Sequence, residues 1–155
     1  MPLRRNVLIC CCALTFSAAA DTLPLMPWPQ QVEQPAHAGW LTLTPQLTLQ
    51  IVGDTLPGAE TRWLSRIARQ TGWPLLPADQ PVEHPTIRIA IAQAVNPVPQ
   101  PDSDESYQLD VNRDGVLLKA NSRFGAMRGM ETLLQLIENS AEGTRIPWIT
   151  IHDKP

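Results

Sequence analysis

Tyr107-Gln108-Leu109-Asp110-Val111-Asn112-Arg113-Asp114-Gly115-Val116-Leu117-Leu118-Lys119-Ala120-Asn121-Ser122-Arg123-Phe124-Gly125-Ala126-Met127-Arg128-Gly129-Met130-Glu131-Thr132-Leu133-Leu134-Gln135-Leu136 is the stretch on which the fold turns. Residues 107–111 alternate apolar with polar, Asp114-Gly115 is a hairpin turn, and residues 116–120 return. At Ser122, a good N-cap, the period changes from 2 to 3.6. Phe124, Met127, Met130, Leu133, Leu134 and Ile137 then make one apolar stripe, so a helix follows the hairpin.

Working outward, the same grammar recurs. Upstream, Trp40–Thr44 and Leu47–Val52 alternate, and Pro45-Gln46 between them is short enough for a hairpin. A first helix follows Pro57-Gly58, with Trp63, Leu64, Ile67 and Ala68 on one face and Arg62, Arg66 and Arg69 on a solvated one. Gly72 and Pro74 stop it. Residues 86–91 form a strand with three isoleucines on one side, and a proline-rich loop, Asn96 to Glu105, leads into the hairpin. Downstream, Ile146 to Ile151 is a last strand. The order ββαβββαβ predicts an α+β two-layer sandwich with two helices on a mostly antiparallel sheet.

The chain has 155 residues, the length of one domain, with 43% hydrophobic and 17% charged residues. Its first twenty residues read as a signal peptide: Arg4 and Arg5 precede an apolar run, and Ala18-Ala19-Ala20 supplies small residues before Asp21. The run is shorter than the roughly 20 residues a spanning helix needs. We therefore expect residues 1–20 to be removed and residues 21–155 to fold in the periplasm or outside the cell. All three cysteines, Cys10, Cys11 and Cys12, leave with the signal, so the remaining chain has no thiol. Two arginines leave as well, and ten basic residues then face fifteen acidic ones. Such a surface gives no electrostatic reason to bind nucleic acid or anionic lipid.

Catalytic signatures are missing from the chain. His37, His84 and His152 do not stand at i, i+4, no His-Glu-x-x-His run occurs, and there is no Gly-x-Ser-x-Gly elbow or phosphate-binding glycine loop. Asp104-Glu105 is the one tempting carboxylate pair, because two carboxylates serve glycoside hydrolysis. It lies in the proline-rich loop and reads as a solvated acid pair. Trp28, Trp40, Trp63, Trp73 and Trp148 are scattered over different elements and read as core or interface rather than sugar-stacking platforms. No catalytic, metal or cofactor residue is assigned. Gly125 and Gly129 do call for a reason, since each costs about 1 kcal/mol in a helix relative to alanine. Standing at i, i+4, they open one helix face to close approach, either by the domain's own sheet or by a docked neighbouring domain.

Residues 120–136 resemble the helix motif of the N-terminal domain of family 20 β-N-acetylhexosaminidases. Leu25-Met26-Pro27-Trp28-Pro29-Gln30-Gln31-Val32 resembles that domain's opening, and residues 146–155 resemble the segment leading into the catalytic barrel. The resemblance implies an accessory domain of zincin-like topology without zinc, packed against a downstream TIM barrel of the same polypeptide. In the family that barrel carries an adjacent Asp-Glu pair. Its glutamate protonates the leaving oxygen, and its aspartate orients the substrate acetamido group that attacks the anomeric carbon. Asp104-Glu105 does not match that motif's context and inherits no role. The expectation is a non-catalytic domain serving a barrel that removes terminal N-acetylhexosamine from chitooligosaccharides or related glycans. A free-standing exported binding module is the alternative, and the coding DNA beyond Pro155 decides between them.

Overall fold

The structure, a computed structural model, describes residues 23–73, 83–92 and 98–155. The signal segment, Pro74 and the Asn96-Pro97 part of the loop lie outside these residues. In chain order the elements are β1 (Gln31–Glu33), β2 (Trp40–Thr42), β3 (Leu49–Gly53), α1 (Ala59–Thr71), β4 (Ile87–Ile91), β5 (Tyr107–Asn112), β6 (Gly115–Ala120), α2 (Arg123–Leu136), β7 (Glu138–Ser140), β8 (Gly143–Pro147) and β9 (Ile149–Asp153).

Six strands form the main sheet in the order β1-β9-β5-β6-β4-β3, and β2-β8-β7 form a small second sheet. The β5–β6 hairpin forms in the register its turn dictates, from Asn112 opposite Gly115 to Tyr107 opposite Ala120. Ladders between β1, β9, β5 and β6 are antiparallel, whereas β6–β4 and β4–β3 are parallel. The α+β two-layer architecture with a mostly antiparallel sheet is therefore what the chain adopts.

Beyond the expected order ββαβββαβ, β1 and β7 are further strands, and two expected assignments need correction. The turn at Pro45-Gln46 exists, with Leu47 N–H donating to the Thr44 carbonyl, but its flanking strands do not pair with each other. β2 joins β8 and β3 joins β4, so the expected hairpin is split between two sheets. The single strand expected at 146–151 is likewise two, broken at Trp148, with β8 in the small sheet and β9 in the large one.

Both helices cover one face of the large sheet. On α1, Trp63, Leu64 and Ile67 are buried, while Arg62, Arg66 and Arg69 are exposed, and Gly72 ends it in the left-handed region at φ 78°. On α2, the Ser122 hydroxyl accepts from the N–H groups of Phe124 and Gly125, as an N-cap should. The Trp63 indole donates to the Met130 carbonyl at 2.8 Å and ties the helices together. Beneath them Ile89, Leu109, Leu118 and Ile151 come from four adjacent strands, and all are fully buried.

Candidate functional site

Gly125 and Gly129 sit where α2 presses on the sheet. A Cβ on Gly125 would lie 2.1 Å from the Ser106 carbonyl oxygen, and one on Gly129 would lie 2.3 Å from Leu118 Cδ1 and 3.0 Å from Tyr107 Cδ2. Of the two uses the sequence left open, the structure shows close packing on the domain's own β5 and β6. That glycine face is filled from within, so it is not available to an outside domain.

Asp104 is exposed and Glu105 half-buried, as a solvated loop pair would be, yet both also bind within the domain. Asp104 accepts from the Ser106 N–H at 2.9 Å, the Ser106 hydroxyl at 2.5 Å and the Asn121 amide at 2.9 Å. The Ser106 hydroxyl bond, reinforced by the Asn121 amide and the Ser106 N–H, holds the Asp104 carboxyl below the usual aspartate range. The Asp104 carbonyl accepts from the Ser122 hydroxyl, and Glu105 accepts from Arg128 Nε at 2.8 Å, which raises the guanidinium pKa. The pair therefore staples the loop before β5 to the first turns of α2.

A third tie lies one residue on. The Tyr107 hydroxyl is 2.6 Å from the Thr132 hydroxyl and donates to Asp153 at 3.4 Å. Burial, chiefly, pushes its pKa up to about 12. Asp153 also accepts from the Gln30 N–H at 3.1 Å, and the Gln30 amide donates to the Lys154 carbonyl at 2.8 Å. The opening segment thus grips the end of β9.

Among the described residues, the other face of the large sheet carries no helix. Alternation and register place Gln31, His152, Gln108, Lys119, Ala90 and Val52 there in one row across six strands. They line a shallow cleft of about 900 Å³. His37 and His84 lie elsewhere and are exposed, and among the described residues no cluster of His, Cys, Asp or Glu could hold a metal ion. No described helix is long and apolar enough to cross a membrane.

The tryptophans divide. Trp63 is buried, Trp73 packs on the core edge and Trp28 is 61% exposed. Trp40 and Trp148, more than a hundred positions apart, meet at one corner because β2 pairs with β8 and Trp148 terminates β8. The Trp148 N–H donates to the Gly39 carbonyl at 2.9 Å, and its indole lies flat on Gly39, where a Cβ would fall 2.2 Å from the ring. The Arg145 guanidinium covers the Trp40 ring 3.8 Å from its centroid. Together they line a pocket of about 330 Å³. Reading the tryptophans as scattered missed this convergence.

The fold is thus a two-layer α+β domain in which the Asp104-Glu105 pair, Gly125, Gly129 and Tyr107 hold its own elements together. The comparisons make this specific. Residues 22–154 match the description glycosyl hydrolase family 20, domain 2, and the chain belongs to that family. It is similar to the rat β-hexosaminidase subunit alpha, 32% identical over 144 residues, covering 84% of this chain and 27% of the relative. Among solved structures it is similar to a Flavobacterium johnsoniae chitobiase, at 33% identity and a TM-score of 0.74, covering 86% of this chain and 21% of that one. A family 20 β-N-acetylhexosaminidase from Streptomyces coelicolor is 25% identical with a TM-score of 0.58, covering 82% and 25% of the two chains. The chain thus spans about a quarter of the relatives it matches and corresponds to an accessory domain of hexosaminidases.

Proposed function

We propose that this domain is the non-catalytic N-terminal part of an exported β-N-acetylhexosaminidase. Its role is to support a downstream TIM barrel that removes terminal N-acetylhexosamine from chitooligosaccharides or related glycans. The observation that carries the reading is the match to domain 2 over residues 22–154, in relatives of which it makes up about a quarter. The site chemistry agrees: glycoside cleavage needs an acid held beside the leaving oxygen in a pocket, and Asp104 and Glu105 are instead tied to Ser106, Asn121 and Arg128. Periplasmic or secreted placement follows from the signal-like first twenty residues.

The test compares residues 21–155 alone with the same segment joined to a family 20 barrel, using an aryl N-acetyl-β-glucosaminide. The segment alone should release no aryl alcohol at any pH, while the joined polypeptide should be active. Removing the domain should lower yield or thermal stability more than kcat. Turnover by the segment alone, abolished by Glu105→Gln, would overturn the reading.

A further inference from the structure

We infer that the corner formed by Trp40, Trp148 and Arg145 is a glycan-binding site that takes one neutral pyranose ring. Three features converge there. The first is an aromatic platform: Trp40 is still 39% exposed although the Arg145 guanidinium stacks on its ring. An exposed indole at a pocket wall suits a flat, partly apolar ligand such as a sugar ring. The second is size, since about 330 Å³ is at the small end of ligand pockets and fits a single ring better than an extended chain.

The third is the pattern of polar groups. Arg145 Nε stands 3.6 Å from a Glu138 carboxylate oxygen, and Arg145 Nη1 stands 3.6 Å from one of Glu142. These are ion-pair distances without direct hydrogen bonds, and Arg145 Nε has no hydrogen-bond partner among the described residues. Nε itself is buried, but a hydroxyl donates and accepts at once, so a sugar hydroxyl can bridge Arg145 Nη1 and the Glu142 carboxylate across their 3.6 Å gap. In the pocket lining Arg145 and Glu138 balance in charge, which favours a neutral polyol over an ion.

The inference concerns binding and stands apart from the catalytic reading, on which only the choice of probe rests. The experiment is an indole-region ¹⁵N–¹H NMR titration of the 155-residue chain with chitotriose and, separately, cellotriose. The indole resonances of Trp40 and Trp148 should shift saturably in the millimolar range with at least one of the two, while buried Trp63 stays still and reports an intact fold. Trp40→Ala should weaken binding about tenfold. Trp40→Phe should restore most of it, and Trp28→Ala, outside the pocket, should leave it unchanged. Absence of shifts with both sugars, or shifts confined to Trp28, would overturn the inference. So would a Trp40 indole that is free in the chain alone but masked once a family 20 barrel is joined, since the corner would then be an interdomain contact. None of these results alters the hexosaminidase assay, so the two readings fail separately.

Discussion

Replacing Gly125 by alanine adds a single methyl group, yet it should destabilise the domain far more than the same change at Gly129. At position 125 the new carbon would sit 2.1 Å from the Ser106 carbonyl oxygen and 3.0 Å from its carbon, against an ordinary C···O contact of about 3.3 Å. Helix or strand must therefore move by about 1 Å. Neither yields readily: Ser106 is held by Asp104 and runs directly into β5, and the first turn of α2 is held by the Ser122 cap. The overpacking cost is about 1–3 kcal/mol and exceeds the propensity gain, at most about 1 kcal/mol so near the helix start. At Gly129 the obstacle is Leu118 Cδ1, the tip of a side chain that can turn, at a rotamer cost of about 0.5–1.5 kcal/mol. The full propensity gain of about 1 kcal/mol offsets most of that. We expect Gly129→Ala to be near neutral and Gly125→Ala to cost roughly 1–2 kcal/mol. With a urea slope of about 1–3 kcal/mol/M, the Gly125→Ala midpoint falls by about 1 M. Urea unfolding followed by tryptophan fluorescence measures both. Equal midpoints for the two variants, or a Gly125→Ala protein as stable as wild type, would refute the reasoning.

Gly129→Leu, by contrast, cannot be absorbed by one rotamer and should cost about 1–3 kcal/mol, read as a lowered thermal midpoint. Tyr107→Phe should remove about 1 kcal/mol with the Thr132 bond. Because burial raises the folded tyrosine pKa from 10 to about 12, wild type keeps its full stability below pH 10 and loses part of it as pH rises toward 12 and the unfolded phenol ionises more readily than the buried one. The Phe variant should flatten that alkaline limb, and an unchanged limb counts against the assignment. Asp104→Asn tests the opposite sign. The folded carboxyl pKa lies below 3.8, so its contribution is present above that pH and lost as pH falls through the lowered folded value. Acid titrations of wild type and Asp104→Asn should therefore differ above pH 3.8 and converge as pH falls through the lowered folded value.

The hairpin and α2 were legible because local chemistry decides them: Asp114-Gly115 sets the turn, Ser122 caps, and the periods of 2 and 3.6 meet at Asn121. Strand partners were not legible at Trp40–Val52. Alternation tells which residues share a face, and Leu41, Leu43, Leu47 and Leu49 are all buried as it requires, but it carries no information on which strand lies alongside. The parallel β3–β4–β6 ladders join residues dozens of positions apart and leave no local trace. The break at Trp148 did leave one. Buried Ile146, Ile149 and Ile151 are spaced by three and then two, a phase slip that a single strand cannot hold. The aromatic corner was hidden for a compound reason, since Trp40 and Trp148 meet only through the β2–β8 pairing. The structural use of Asp104-Glu105 was hidden because a carboxylate's partners in three dimensions, Asn121 and Arg128, follow it by 17 and 23 positions.

Strand order also sets a schedule for assembly. β9, the last of the described strands along the chain, is not at an edge: it lies between β1, the first of them, and β5. Until residues 149–153 emerge from the ribosome, Gln31–Glu33 have no ladder to join and β5 shows an open flank beside the finished β5–β6 hairpin. The chain closes its sheet by bringing together residues as far apart as Gln31 and His152, a contact of high loop-closure entropy. A nascent chain stalled or cut before Ile149 is thus left with two unpaired edges, the form of a β-sheet most ready to pair with a second molecule. Completion of β9 is the step that turns an adhesive intermediate into a domain that keeps to itself.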